Sequence, residues 1–101
     1  MPSLRKLQPR LEAGAVLECV AQAYQWSEVE LLKPGRRGNE ARAVAMVLIW
    51  DYCGMRLREI GELFGGAGYT AVAQMIGRTR ERDRRNALRF KLGKLVHKCV
   101  K

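Results

Sequence analysis

Cysteine is scarce in this chain and spaced for none of its usual structural uses. There are three in 101 residues, Cys19, Cys53 and Cys99. They are odd in number, far apart and without a C-x-x-C pair, so neither a disulfide framework nor a zinc site is suggested, and all three read as reduced core thiols. Proline is as rare, with three residues beside 48% apolar and 29% charged ones. That composition belongs to a globular chain that buries a core and excludes a disordered one. Long apolar runs are missing too: the longest covers residues 43–50, far short of the ~20 residues that cross a bilayer. The N-terminus lacks the apolar stretch of a signal peptide. A soluble, cytoplasmic protein is expected, and the length leaves no room for a second substantial core.

The arrangements that carry chemistry are absent as well. No G-x-x-x-x-G-K-[ST] phosphate loop, paired carboxylates or nucleophile beside a base can be found, so no enzyme, no cofactor and no small-molecule substrate is expected. The one histidine, His97, has no second ligand at metal spacing and reads as a surface residue. Acids are the last shortage: ten Asp and Glu face nineteen Lys and Arg, a formal charge of +9. In the last 24 residues ten basic side chains face two acidic ones, so +8 of the excess is C-terminal. Polyanions are the partners this favours, nucleic acid first and an anionic membrane surface or acidic protein after it.

What is present is helical periodicity. Residues 1–10 show no period and read as a loose lead-in, with one domain over residues 11–101. From Leu11 to about Gln25, Val16, Val20, Ala23 and Tyr24 form an amphipathic stripe widened by Leu17 and Ala21. Ser27 and Glu30 make a capping box for a short helix that ends before Pro34 and Gly35. A basic loop with Arg36 and Arg37 follows, and Asn39 is a natural N-cap. Ala41 to Cys53 is apolar on nearly every side, as a central helix must be, and Gly54 stops it. Leu57, Ile60 and Phe64 mark a short helix ending at Gly65 and Gly66. The next begins near Tyr69, with Val72, Met75, Ile76 and Thr79 inward and Thr70, Gln74, Gly77 and Arg78 outward. Leu88, Leu92, Leu95, Val96 and Cys99 give a last amphipathic helix. Trp26 and Trp50 read as core or helix-junction packing.

A helix, a glycine turn and a second helix followed by arginines is the layout of a helix-turn-helix, whose second helix enters the major groove while the first crosses the backbone. The residues go further. Asn39-Glu40-Ala41-Arg42-Ala43-Val44-Ala45-Met46, then Leu57-Arg58-Glu59-Ile60-Gly61-Glu62-Leu63-Phe64-Gly65-Gly66 and Tyr69-Thr70-Ala71-Val72, resemble the C-terminal DNA-binding domain of the bacterial replication initiator DnaA. In that family the turn and the start of the recognition helix read R-D-H-T-T-V. Ala67, Gly68, Tyr69, Thr70, Ala71 and Val72 stand there in this chain, so one threonine and the valine survive. Arg56 replaces the family's capping serine. This version looks more like the related tail of some REP-associated transposases, although nothing of their catalytic part is present.

The resemblance implies a compact all-α, Trp-repressor-like bundle of five or six helices with its helix-turn-helix over about residues 56–80. It also implies a nucleoid-associated double-stranded DNA-binder, free-standing or part of a larger replication or transposition protein. Thr70, Ala71 and Gln74 are the base-reading candidates, because a glutamine pairs with an adenine edge, a threonine hydroxyl serves most edges and an alanine methyl packs on thymine. Tyr69 joins them, either packing at the helix start or reaching a base or phosphate. Arg36 and Arg37 sit in the loop that in the initiator enters the minor groove. Arg42, Arg56, Arg58 and Arg78 are candidates for phosphates. Part of the arginine cluster around Glu81 and Asp83 is expected to pair internally instead.

Overall fold

A computed structural model describes residues 12–32 and 40–99 of the chain. Among these residues there are six helices and no strand: α1 (Ala13–Tyr24), α2 (Glu28–Leu32), α3 (Glu40–Tyr52), α4 (Leu57–Leu63), α5 (Tyr69–Arg84) and α6 (Leu92–Cys99). The expected all-α bundle is what forms. The lead-in at residues 1–10, the arginines Arg36 and Arg37, and Asn39 lie outside the described residues.

The centre of the molecule is α3, where every residue from position 41 to 49 is buried. A helix apolar all round must be covered all round, and α3 packs against each of the other five helices. Around it, α1 buries Val16, Leu17, Val20, Ala21 and Tyr24. Ser27 Oγ accepts the Glu30 N–H at 3.2 Å, the serine half of the capping box, and so starts α2. Gly54, at φ 70°, lets the chain leave α3 in the left-handed conformation that an L side chain resists. Trp26 packs against the core as expected. Trp50 instead stands 37% exposed, on the outer side of the last turn of α3.

One charged residue lies in that buried stretch. Arg42 was expected at a phosphate, but it is only 8% exposed and donates to the carbonyl of Phe64, with its guanidinium 5.6 Å from the centre of the Phe64 ring. Phe64 caps α4, where carbonyls have no partner within the helix. A guanidinium is more weakly hydrated than an ammonium and stacks on aromatic faces, which makes it the cation suited to this buried post. Burial lowers its pKa. Arg42 therefore ties the helix-turn-helix to the core instead of facing DNA.

Glu40 makes a second tie. Its carboxylate accepts the Tyr24 hydroxyl at 2.6 Å, the Arg89 backbone N–H at 2.7 Å and an Arg82 N–H at 3.3 Å. Three segments distant in the chain, α1, α5 and the approach to α6, thus meet at the first residue of α3. Burial, then the bond to Glu40, pushes the Tyr24 phenol far above its ordinary pKa. Phe90 meets the Tyr24 ring edge to face, with centroids 5.1 Å apart.

Two expectations need correction at the C-terminus. The last helix does not include Leu88: α5 ends at Arg84, Asn86 takes a positive φ of 59°, and residues 88–90 bend before α6 begins at Leu92. Asp83 organises that turn, with its Oδ1 accepting the Leu92 N–H at 2.9 Å. Nor are all the cysteines free. Cys19 on α1 and Cys99 on α6 form a disulfide, with Cα atoms 5.7 Å apart and a sequence separation of 80. Spacing alone could not reveal the pair because it exists only after α6 docks on α1. Cys53 remains a thiol, its pKa raised by burial.

Closing so long a loop removes much denatured-state entropy, so Cys99→Ser should lower unfolding stability by about 2–5 kcal/mol under oxidising conditions. Urea titrations with and without reductant would check this: reductant should bring the parent protein down to the variant and leave the variant unmoved.

Candidate nucleic-acid interface

The helix-turn-helix is α4, residues 64–68 and α5. Inside α4, Gly61 does what no other residue could. Its carbonyl accepts the N–H groups of both Gly66 and Ala67 at 2.9 Å, and a Cβ on Gly61 would sit 1.9 Å from the Ala67 carbonyl oxygen. The chain reverses through Gly65 and Gly66, at φ 87° and 86°, a conformation that favours glycine. Phe64, fully buried, anchors the same turn from below.

The rotation of α5 follows from its core-facing residues. Val72, Ile76 and Thr79 are buried, while Thr70, Ala71, Gln74, Gly77 and Arg78 are exposed. Successive residues are turned by about 100° in a helix of 3.6 residues per turn, so Gln74 and Arg78 both lie roughly 160° from Ile76, and Ala71 about 140°. These residues make one outward stripe, with Thr70 at its edge.

The arginines of α4, α5 and their caps divide into two groups. Arg80 pairs with Asp51, Arg82 with Glu40 at 3.3 Å, and Arg84 and Arg85 with Glu81 at 3.4 and 3.3 Å. Each is a surface pair of small energy, but together they orient the second half of α5 toward the protein's own acids. Arg56, Arg58 and Arg78 are exposed and make no ion pair among the described residues. The charge open to a partner thus lies partly at the helix-turn-helix, on these three arginines, and partly beyond α5, where Arg89, Lys91, Lys94 and Lys98 are also exposed without an ion pair among the described residues.

Arg56 also stands where α4 starts. Its backbone N–H is taken by Glu59 Oε1 at 2.8 Å, one half of a capping box. The other half needs a side-chain acceptor, and a guanidinium only donates. Between this first turn of α4 and the start of α5 lies an open cleft of about 520 Å³ lined by Arg56, Leu57, Arg58, Glu59 and Tyr69. Tyr69 is 58% exposed. Sequence reasoning singled out Arg56 and Arg58 for phosphates and Tyr69 for the start of the recognition helix, and missed that the three share one cleft. It also missed the roles of Arg42 and Gly61, for which the signals were a charge inside an apolar run and a glycine inside a helix.

His97 is exposed, and among the described residues no group of three His, Cys, Asp or Glu could hold a metal ion. No helix among them is long and apolar enough to cross a membrane.

Comparison with known proteins agrees with this geometry. Residues 13–79 match the family described as the bacterial DnaA protein helix-turn-helix. The chain is 34% identical over 82 residues to the chromosomal replication initiator protein DnaA of Thermomicrobium roseum. That similarity covers 79% of this chain and 18% of the relative, so the chain spans under a fifth of the initiator's length. From α1 through most of α5, the matched segment contains the core helix, the glycine turn and the outward stripe just described, and the chain belongs to the bacterial DnaA helix-turn-helix family.

Proposed function

We propose that the chain is a sequence-specific double-stranded DNA-binding module that sets α5 in the major groove. Membership of a helix-turn-helix family supports DNA binding in general, and such a domain is not itself catalytic. The observation that carries the finer reading is the exposed stripe of Thr70, Ala71, Gln74 and Arg78, held outward by buried Val72 and Ile76. In this reading Gln74 pairs with an adenine edge, Thr70 bonds a neighbouring edge and the Ala71 methyl meets thymine. Arg56, Arg58 and Arg78 hold phosphates, and Arg36 or Arg37 reaches the minor groove from the loop before α3. The module would place the rest of a replication protein on its site, on the bacterial nucleoid. In the reducing cytoplasm the Cys19–Cys99 pair would tend toward two thiols.

If about five phosphates are contacted, log K should fall with log salt at a slope of about −4.5. Fluorescence anisotropy titrations on random and selected duplexes would measure it, and a slope of zero would end the DNA-binding reading.

Gln74→Ala should weaken binding to the preferred site by about 1–3 kcal/mol and relax preference at one base pair. Titration against every single-base change of that site is the check. An unaltered preference profile, in a variant that circular dichroism shows to be folded, would mean that α5 does not sit in the groove as proposed. Replacing Arg36 and Arg37 by alanine should weaken binding most on sites flanked by A-tracts. Equal losses on A-tract and G·C flanks would reduce them to phosphate contacts.

A further inference from the structure

Tyr69 opens the recognition helix, yet its direction differs from that of its neighbours. By helical rotation it lies roughly 140° from Gln74 and only about 20° from Ile76. It is therefore off the outward stripe and on the side turned to the body of the protein. Residues near that angle farther along α5 are buried, as Val72 and Ile76 are, but Tyr69 is 58% exposed because at the first turn the core gives way to the open cleft. The phenol thus joins Arg56 and Arg58 along that cleft.

From this convergence we infer that Arg56, Arg58 and Tyr69 form one clamp for a single backbone phosphate of the bound duplex, with the Tyr69 hydroxyl as a phosphate donor and not a base reader. The inference rests on the DNA-binding reading above and extends it. Two guanidiniums and a phenol present several donors and no strong acceptor, which suits a phosphodiester with two free oxygens. Glu59 also lines the cleft, but its Oε1 is engaged with the Arg56 N–H, and one carboxylate against two guanidiniums leaves the cleft positive. Both arginines lack an ion pair among the described residues, whereas three arginines farther along α5 and Arg85 at its C-cap have one. The cleft borders the start of the base-facing stripe, so a phosphate held there would set how deep and at what angle α5 enters the groove.

The test is a scan of the preferred duplex with one neutral methylphosphonate at each backbone position in turn, bound by the full chain and by Tyr69→Phe and Arg58→Gln. The parent should lose roughly tenfold in affinity at one position, the scale of one charge-assisted contact. Each variant should lose a similar factor on the unmodified duplex, become indifferent to substitution at that same position, and keep the parent's base preferences. A changed preference at one base pair in Tyr69→Phe would make the hydroxyl a base reader and overturn the clamp. So would two variants that silence different positions, or variants that bind every duplex as the parent does. Millimolar inorganic phosphate shifting the Tyr69 resonances while neither variant alters duplex binding would assign the cleft to a small free anion and overturn it equally. If the parent binds no duplex at any salt concentration, the DNA-binding reading itself fails and the clamp with it. Parent binding with the expected salt slope but without a shared silent position defeats the clamp alone.

Discussion

The enclosure of α3 is the constraint on which the rest of this structure depends. Nine consecutive residues, 41 to 49, are withdrawn from water, and a helix without a polar face is stable only if neighbours cover every side. That requirement sets the position of the other five helices, including the two that carry the candidate interface. The helix-turn-helix is therefore presented by the core and does not stand apart from it. Its orientation is inherited from Val72, Ile76 and Phe64 packing inward.

Into that apolar centre the chain puts one guanidinium. A buried charge is costly unless its hydrogen bonds are met, and Arg42 meets this cost by serving the carbonyl that ends α4 and by stacking on the Phe64 ring. The same economy governs Glu40, whose carboxylate collects a phenol, a backbone amide and a guanidinium from three separate segments. Both residues are polar, both belong to α3, and both fix angles between helices that apolar packing alone leaves loosely specified. On the outside, acids remove four arginines from the charge open to a partner. Among what is left, Arg56 and Arg58 stand at the start of α4 and Arg78 on the outward stripe of α5, while Arg89, Lys91, Lys94 and Lys98 lie beyond that helix.

Much of this was legible beforehand. The periods of the apolar residues marked α1, α4, α5 and α6, because a 3.6-residue repeat leaves its trace wherever one face is buried, while a capping box marked α2 and an unbroken apolar run marked α3. The glycines marked the ends, and Val72 with Ile76 marked the inner face of α5, from which the outward stripe follows by rotation alone. Leu88 was misplaced for an equally physical reason. It is half-buried and falls on the period of α6, but Asn86 and the bends after it break the helix while leaving the side chain near the core.

By itself, then, the sequence determined the helices, the turn, the inner face of the recognition helix and the sign of the charge, since each is set by neighbours within a few positions. Only the tertiary structure decided which polar groups meet. The partnership of Cys19 with Cys99 spans 80 positions, Arg42 finds Phe64 across two helices, and Arg56, Arg58 and Tyr69 share a cleft because Gly61 and the glycine turn let α5 fold back on α4. Local pattern reports whether a side chain faces in or out. What it faces depends on elements far away in the chain, brought there by the burial of α3.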